Sequence, residues 1–165
     1  MGESRLTARQ LANFVLRYEK NPKLTGGTTI LELAQMYIEE GNAEGVRGDI
    51  AFIQAIIETG WFRFGGQVPY ENNNYCGLGA IDNTNLSESY ESPRIGVRAH
   101  IQHLKAYGST ASLNRACVDN RFKYVKRGSA LTWNALGGKW ASDKNYGDKI
   151  NTKYVQCCNY NDLYE

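Results

Sequence analysis

The chain has 165 residues, 42% of them apolar and 22% charged, with a net charge of +2. That is one domain's worth of chain with one sizeable core, which excludes collagen, coiled coil, a transmembrane bundle and a disordered tail. The charge excess is too small to argue for nucleic acid by itself, while 11 tyrosines and 15 asparagines suggest a ring-lined, hydrogen-bonding surface for sugars or single-stranded chains.

Thr7 caps a first helix from Ala8 to about Tyr18, with Gln10 at the reciprocal capping position and Leu11, Phe14, Val15 and Tyr18 on one stripe. Asn21-Pro22 ends it. Thr28 or Thr29 opens a second helix, with Ile30, Leu33, Ala34, Tyr37 and Ile38 on one face and Gly41 as the stop. From about Arg47 to Glu58 the third helix, RGDIAFIQAIIE, is apolar nearly all round and so runs through the centre of the domain. The stretch GWFRFGGQVPYENNNYCGLGAIDNTN then reads as loops with a short hairpin. A fourth helix runs from about Pro93 to Tyr107, shorter helices and loops follow to about Trp140, and Asp148 to Val155 forms the last helix. The expected fold is mainly α (α+β), a single domain over residues 1–165 with a central buried helix and a small irregular or β lobe inserted after it.

Cys76, Cys117, Cys157 and Cys158 show neither a CxxC pair nor metal-finger spacing, and adjacent Cys157 and Cys158 pair only with strain. No metal, cofactor or disulfide dependence is therefore expected. His100 and His103 share a helix face but lack a third ligand at a suitable spacing, which reads as packing or hydrogen bonding. The N-terminal MGESRLTARQ lacks the apolar run of an export signal, and no stretch is long enough to span a membrane, so no membrane insertion is expected. Arg115, Arg121, Lys123, Lys126 and Arg127 make one region locally basic, either as a solvated face or as an attractor of anionic polymers.

Glu58 closes the central helix after Ile56 and Ile57 and before Thr59-Gly60-Trp61. Apolar neighbours, the nearby Trp61 ring and the negative end of the helix dipole all push a carboxyl pKa upward. An acid still protonated near neutral pH is what protonates a leaving oxygen in glycoside cleavage. A helix-terminal Glu reaching into solvent is the other reading, and these residues leave both open. Trp61, Phe62 and Phe64, then Asn72-Asn73-Asn74-Tyr75, put rings and amides next to it in sequence. Such groups grip sugars, and the same pattern also suits core aromatics with a turn-rich loop. Cys76 lies in that loop and is expected to be inert.

Five ordered blocks carry a resemblance: GDIAFIQAIIETGWFRFGG, NNNYCGLGA, GVRAHIQHLKAYGS, RFKYVKRGSALTWNALGGKWA and NYGDKI. From roughly Leu11 to Tyr154 the chain resembles the glucosaminidase domain of glycoside hydrolase family 73, bacterial and phage enzymes that cleave the peptidoglycan glycan strand. The resemblance implies a lysozyme-like fold and an endo-β-N-acetylglucosaminidase cutting between N-acetylglucosamine and N-acetylmuramic acid. It puts Glu58 at the family's catalytic glutamate, in the pattern apolar residues, Glu, Ser or Thr, Gly. Tyr146 matches the late tyrosine of the family's cleft and is expected to share in catalysis. Asn73, Asn74 and the Gly77 to Gly79 turn match the family's Asn loop, and Trp61, Tyr75 and Trp140 join them as expected substrate contacts.

In the family the second catalytic group is often a carboxylate of the mobile lobe, where Glu71, Asp82, Glu88 and Glu91 lie in this sequence, none of them at a matching motif position. The substrate's own acetamido group or a loosely held water is the favoured alternative. The rival readings are lytic transglycosylase or muramidase chemistry on the same fold, or a non-catalytic wall- or nucleic-acid-binding module using the basic stretch. A monomeric enzyme of the bacterial wall is expected, with the glycan strand as partner and no nucleic acid. It would be secreted or phage-released, an autolysin or an endolysin.

Overall fold

Helix α1 (Ala8–Tyr18) starts where the cap predicts: Thr7 Oγ1 accepts from Gln10 N at 3.2 Å, and Gln10 Oε1 accepts from Thr7 N at 2.9 Å. The computed structural model describes residues 1–80 and 87–162. Helix α2 (Ile30–Glu44) repeats the device with Thr29 and Glu32. It does not stop at Gly41. A β-carbon there would come within 2.8 Å of Gly48 Cα, so the glycine lets α2 lie close against the next helix. The stop is Gly45, in the left-handed conformation at φ 71°.

Helix α3 (Gly48–Thr59) is buried almost all round, with Phe52, Ile53 and Ile56 at its centre, and packs against α1, α2, α4 (Pro93–Gly108) and α5 (Tyr146–Tyr160). Its neighbours supply Leu11, Phe14, Leu33, Ile101 and Ile150 to one continuous core. Ser92 caps α4, with Pro93 in the first turn. Helix α5 extends past both predicted ends. Gly147, a weak helix former, hid its start, but close packing requires it: a β-carbon on Gly147 would meet Asn134 Cα at 2.3 Å.

Three buried acids lock the helices together. Glu40 of α2 receives Arg98 at 3.1 Å, Arg94 at 3.2 Å and Arg115 at 3.4 Å. Glu44 receives Lys105 at 2.8 Å and the backbone N–H groups of Asn114 and Arg115. Asp49 at the start of α3 holds Arg47 at 2.7 Å and accepts from the N–H groups of Arg5 and Leu6. Part of the basic stretch is thus spent internally. Arg115 serves Glu40, while Arg127 donates to the carbonyls of Ser109 and Ala111 and covers the Phe122 ring at 4.5 Å.

Between α3 and α4 the lobe contains a 3₁₀ turn (Tyr70–Asn72) and, among the described residues, no strand, so the expected hairpin is not seen there. Asparagine side chains replace a ladder. Asn74 Nδ2 donates to the carbonyls of Leu78 at 2.8 Å and Glu88 at 3.0 Å, and its Oδ1 accepts from Leu78 N at 3.1 Å. Asp82 lies outside the described residues. No helix among the described residues is long and apolar enough to cross a membrane.

Candidate active site

The last turn of α3 delivers Glu58 to an open cavity of about 650 Å³, of a size that holds sugar rings. The loop after α3 contributes Thr59, Phe64, Gln67 and Val68, the Asn loop contributes Asn74, Cys76 and Gly77, and Trp140 and Ala141 complete it. Glu58 is exposed along this cleft, yet protein packed around its carboxyl raises its pKa above the usual glutamate range. A hydrogen bond donated by the Tyr146 hydroxyl to Glu58 Oε1 offsets part of that rise. Tyr146 is itself buried, and burial together with the Glu58 charge drives its own pKa far up, so its hydroxyl stays protonated and available as a donor. Among the described residues that line the cavity, Glu58 is the one carboxylate.

The sequence profile of the glucosaminidase family, described as mannosyl-glycoprotein endo-beta-N-acetylglucosaminidase, matches residues 34–158. The chain belongs to this glucosaminidase family. A Borreliella burgdorferi protein described as "Uncharacterized protein" is 42% identical over 143 residues, covering 87% of this chain and 70% of that protein. The chain is accordingly a glycoside hydrolase of the endo-β-N-acetylglucosaminidase type that acts on peptidoglycan, with the mainly α architecture the resemblance implied.

Around the cavity at Glu58 the expected residues divide. Glu58, Asn74 and Trp140 line it, and Tyr146 touches Glu58 from below. Trp140 packs edge-on against His103, with ring centroids 5.0 Å apart. Trp61 does not line the cavity. Gly60, Trp61 and Phe62 all have positive φ, which reverses the chain and stacks Trp61 on Tyr18 of α1 at 4.3 Å. Lys153 of α5 covers its ring at 4.9 Å. Tyr75 is also absent from the lining, being 1% exposed and wedged against Phe62, Phe64 and Tyr37.

Asn73 builds the loop rather than facing substrate: it accepts from Thr25 Oγ1 at 2.6 Å and donates to Tyr90 O at 2.9 Å. Asn74 borders the cavity, but its amide is engaged by its own loop. Glu71, Glu88 and Glu91 lie outside the lining, and Glu88 receives Asn120 at 3.3 Å instead. Cys76 is buried beside Glu58, and burial plus that carboxylate hold its thiol well above the usual range, consistent with inertness. His103 pairs with Asp119 at 2.7 Å, and no metal-binding cluster occurs among the described residues.

The polar partners beneath Tyr146 escaped sequence reading. Gln54 Nε2 donates to the Tyr146 hydroxyl at 3.0 Å from inside a helix whose apolar pattern hides a lone glutamine. Helix α5 seats Tyr146 through Gly147, so a methyl group there should push the helix start outward. Gly147→Ala is expected to destabilise the enzyme by about 1–3 kcal/mol and to lower turnover. Denaturant unfolding and wall-clearing rates measured side by side check this.

Proposed function

We propose that Glu58 is the general acid that protonates the glycosidic oxygen between N-acetylglucosamine and N-acetylmuramic acid. The observation that carries this reading is a carboxyl with raised pKa, exposed along a sugar-sized cleft and held at Oε1 by Tyr146. Protonated, it donates to the departing oxygen. The acetamido oxygen of the N-acetylglucosamine unit attacks the anomeric carbon from the other face, and water then opens the resulting ring. That route suits a cavity whose described lining residues include one carboxylate, and Asp82 as a second acid is the competing arrangement. Trp140, which lines the cavity, offers its ring as a stacking surface.

Purified protein added to a cell-wall suspension should clear it, and mass spectrometry should find reducing N-acetylglucosamine ends. Anhydro-muramic ends would instead mean that the muramic 6-hydroxyl is the nucleophile, as in a lytic transglycosylase. Because the acid must be protonated, activity should fall as pH rises through the elevated pKa of Glu58, above the range of an ordinary glutamate. An alkaline limb of kcat at or below the ordinary value of 4.5 would contradict this.

A further inference from the structure

Below Glu58 the hydrogen bonding continues into the core. Tyr146 donates to Glu58 Oε1 and accepts from Gln54 Nε2 at 3.0 Å. Gln54 Oε1 lies 2.8 Å from His100 Nε2, and His100 Nδ1 lies 2.7 Å from the Tyr37 hydroxyl. Tyr37, Gln54 and His100 are each 0% exposed. Burial lowers the His100 pKa to about 3, so its ring is neutral and carries a single N–H.

A chain of this kind can run in two directions. In one, Tyr37 donates to Nδ1, Nε2–H donates to Gln54, Gln54 donates to Tyr146, and Tyr146 donates to Glu58. In the other, every hydrogen is reversed: the Gln54 amide flips, Glu58 donates to Tyr146, and His100 Nδ1–H points at the Tyr37 oxygen. The Tyr37 hydrogen then has no acceptor, because His100 is its one polar partner among the described residues. A buried donor without a partner is the costly outcome, so the terminal tyrosine sets the direction of the whole chain.

The geometry points to Tyr37, His100 and Gln54 as positioning residues that make Tyr146 an obligate donor to Glu58 Oε1 and thereby confine the transferable proton of Glu58 to Oε2. That second oxygen lies on the cleft side: a β-carbon on Gly77, a cleft residue, would sit 3.6 Å from it. Without the buried chain the proton could reside on Oε1, facing Tyr146 and turned from the sugar. The groups facing Glu58 are the Tyr146 hydroxyl from α5 and the Cys76 thiol from the Asn loop. Those facing His100 are Tyr37 from α2, Gln54 from α3, the Trp140 ring, and His103 one turn along its own helix.

The inference rests on Glu58 as the acid, and the test separates the two. Carbon-13 NMR follows the titration of the Glu58 side-chain carboxyl in the wild type, Tyr37→Phe and Gln54→Met, without requiring turnover. Loss of enforced donation from Tyr146 should raise the Glu58 midpoint by about half a pH unit or more in Gln54→Met, and by less in Tyr37→Phe. On soluble glycan fragments kcat should fall about threefold for each half unit of that rise, with KM within about twofold and the alkaline limb moving up together with the titration.

A merely structural role would lower the melting temperature and leave the midpoint in place. Unchanged midpoints in folded variants overturn the proposal, and Tyr37→Phe, which removes one oxygen, keeps it testable if Gln54→Met does not fold. Wall cleavage that survives in Glu58→Gln would refute the functional assignment instead, while the titration still judges the chain.

Discussion

Glu58→Gln should abolish wall cleavage while leaving the folded protein intact. Glutamine keeps the carbonyl oxygen that accepts from Tyr146, so the contact from α5 survives. It has no proton to transfer, and loss of a general acid typically costs about 10²–10⁴ in rate. The midpoint of thermal unfolding should stay within about 2 °C of the wild type, because a carboxyl with raised pKa contributes little to stability. Clearing of a wall suspension and a melting curve on the same preparation settle the matter. A variant that retains more than a few per cent of the activity would remove Glu58 from the mechanism.

The largest stability effect is expected at Asp49. Its carboxylate is fully buried between Arg47 and the backbone N–H groups of Arg5 and Leu6, tying the segment before α1 to the start of α3. Asp49→Ala strips the partner from a largely buried guanidinium and orphans both N–H groups, which should cost about 3–5 kcal/mol. Burial alone would raise the pKa of Asp49, but the Arg47 pair and the two N–H donors outweigh it and hold it below the ordinary 3.8. A depressed pKa contributes stability that is fully present above the unfolded value and is lost as pH falls through the folded one. The gap between wild type and Asp49→Ala in urea unfolding should therefore be widest near neutral pH and narrow below about pH 4. A gap independent of pH would mean that Asp49 acts by packing rather than by charge.

Local signals were legible in the chain. Thr7 with Gln10 fixes where α1 begins through bonds spanning three residues, and an apolar run with no polar face can be a helix only at the centre of a domain. Glu58 followed by Thr59-Gly60 could be read as an acid at a helix end, since Gly60 is the left-handed residue that closes α3. The five sequence blocks carried the family, and with it the expectation that Glu58 and Tyr146 belong to one cleft; the hydrogen bond between them came from the fold.

Side-chain direction was not legible, because tertiary packing sets it. Trp61 and Trp140 look alike as rings near glycines. The positive φ values at Gly60 and Trp61 turn one into the α1 interface, and the edge of His103 holds the other at the cleft. Asn73 and Asn74 carry the hydrogen-bonding capacity a sugar needs, yet a lobe without strands among its described residues uses that capacity on its own backbone.

The abundance of tyrosine suggested a ring-lined surface, but several of these rings are buried. Tyr37 and Tyr75 pack in the core, and Tyr146 is buried too, meeting the cleft residue Glu58 through its hydroxyl. The chain from Tyr37 to Glu58 joins residues 63, 46, 92 and 88 positions apart. No periodicity or motif spans such distances. The sequence by itself determined where the five helices lie, short of some of their ends, and the family to which they belong. Only the packing of α2, α4 and α5 around α3 decided which polar groups meet beneath Glu58, because a buried donor must find its acceptor wherever the fold brings one.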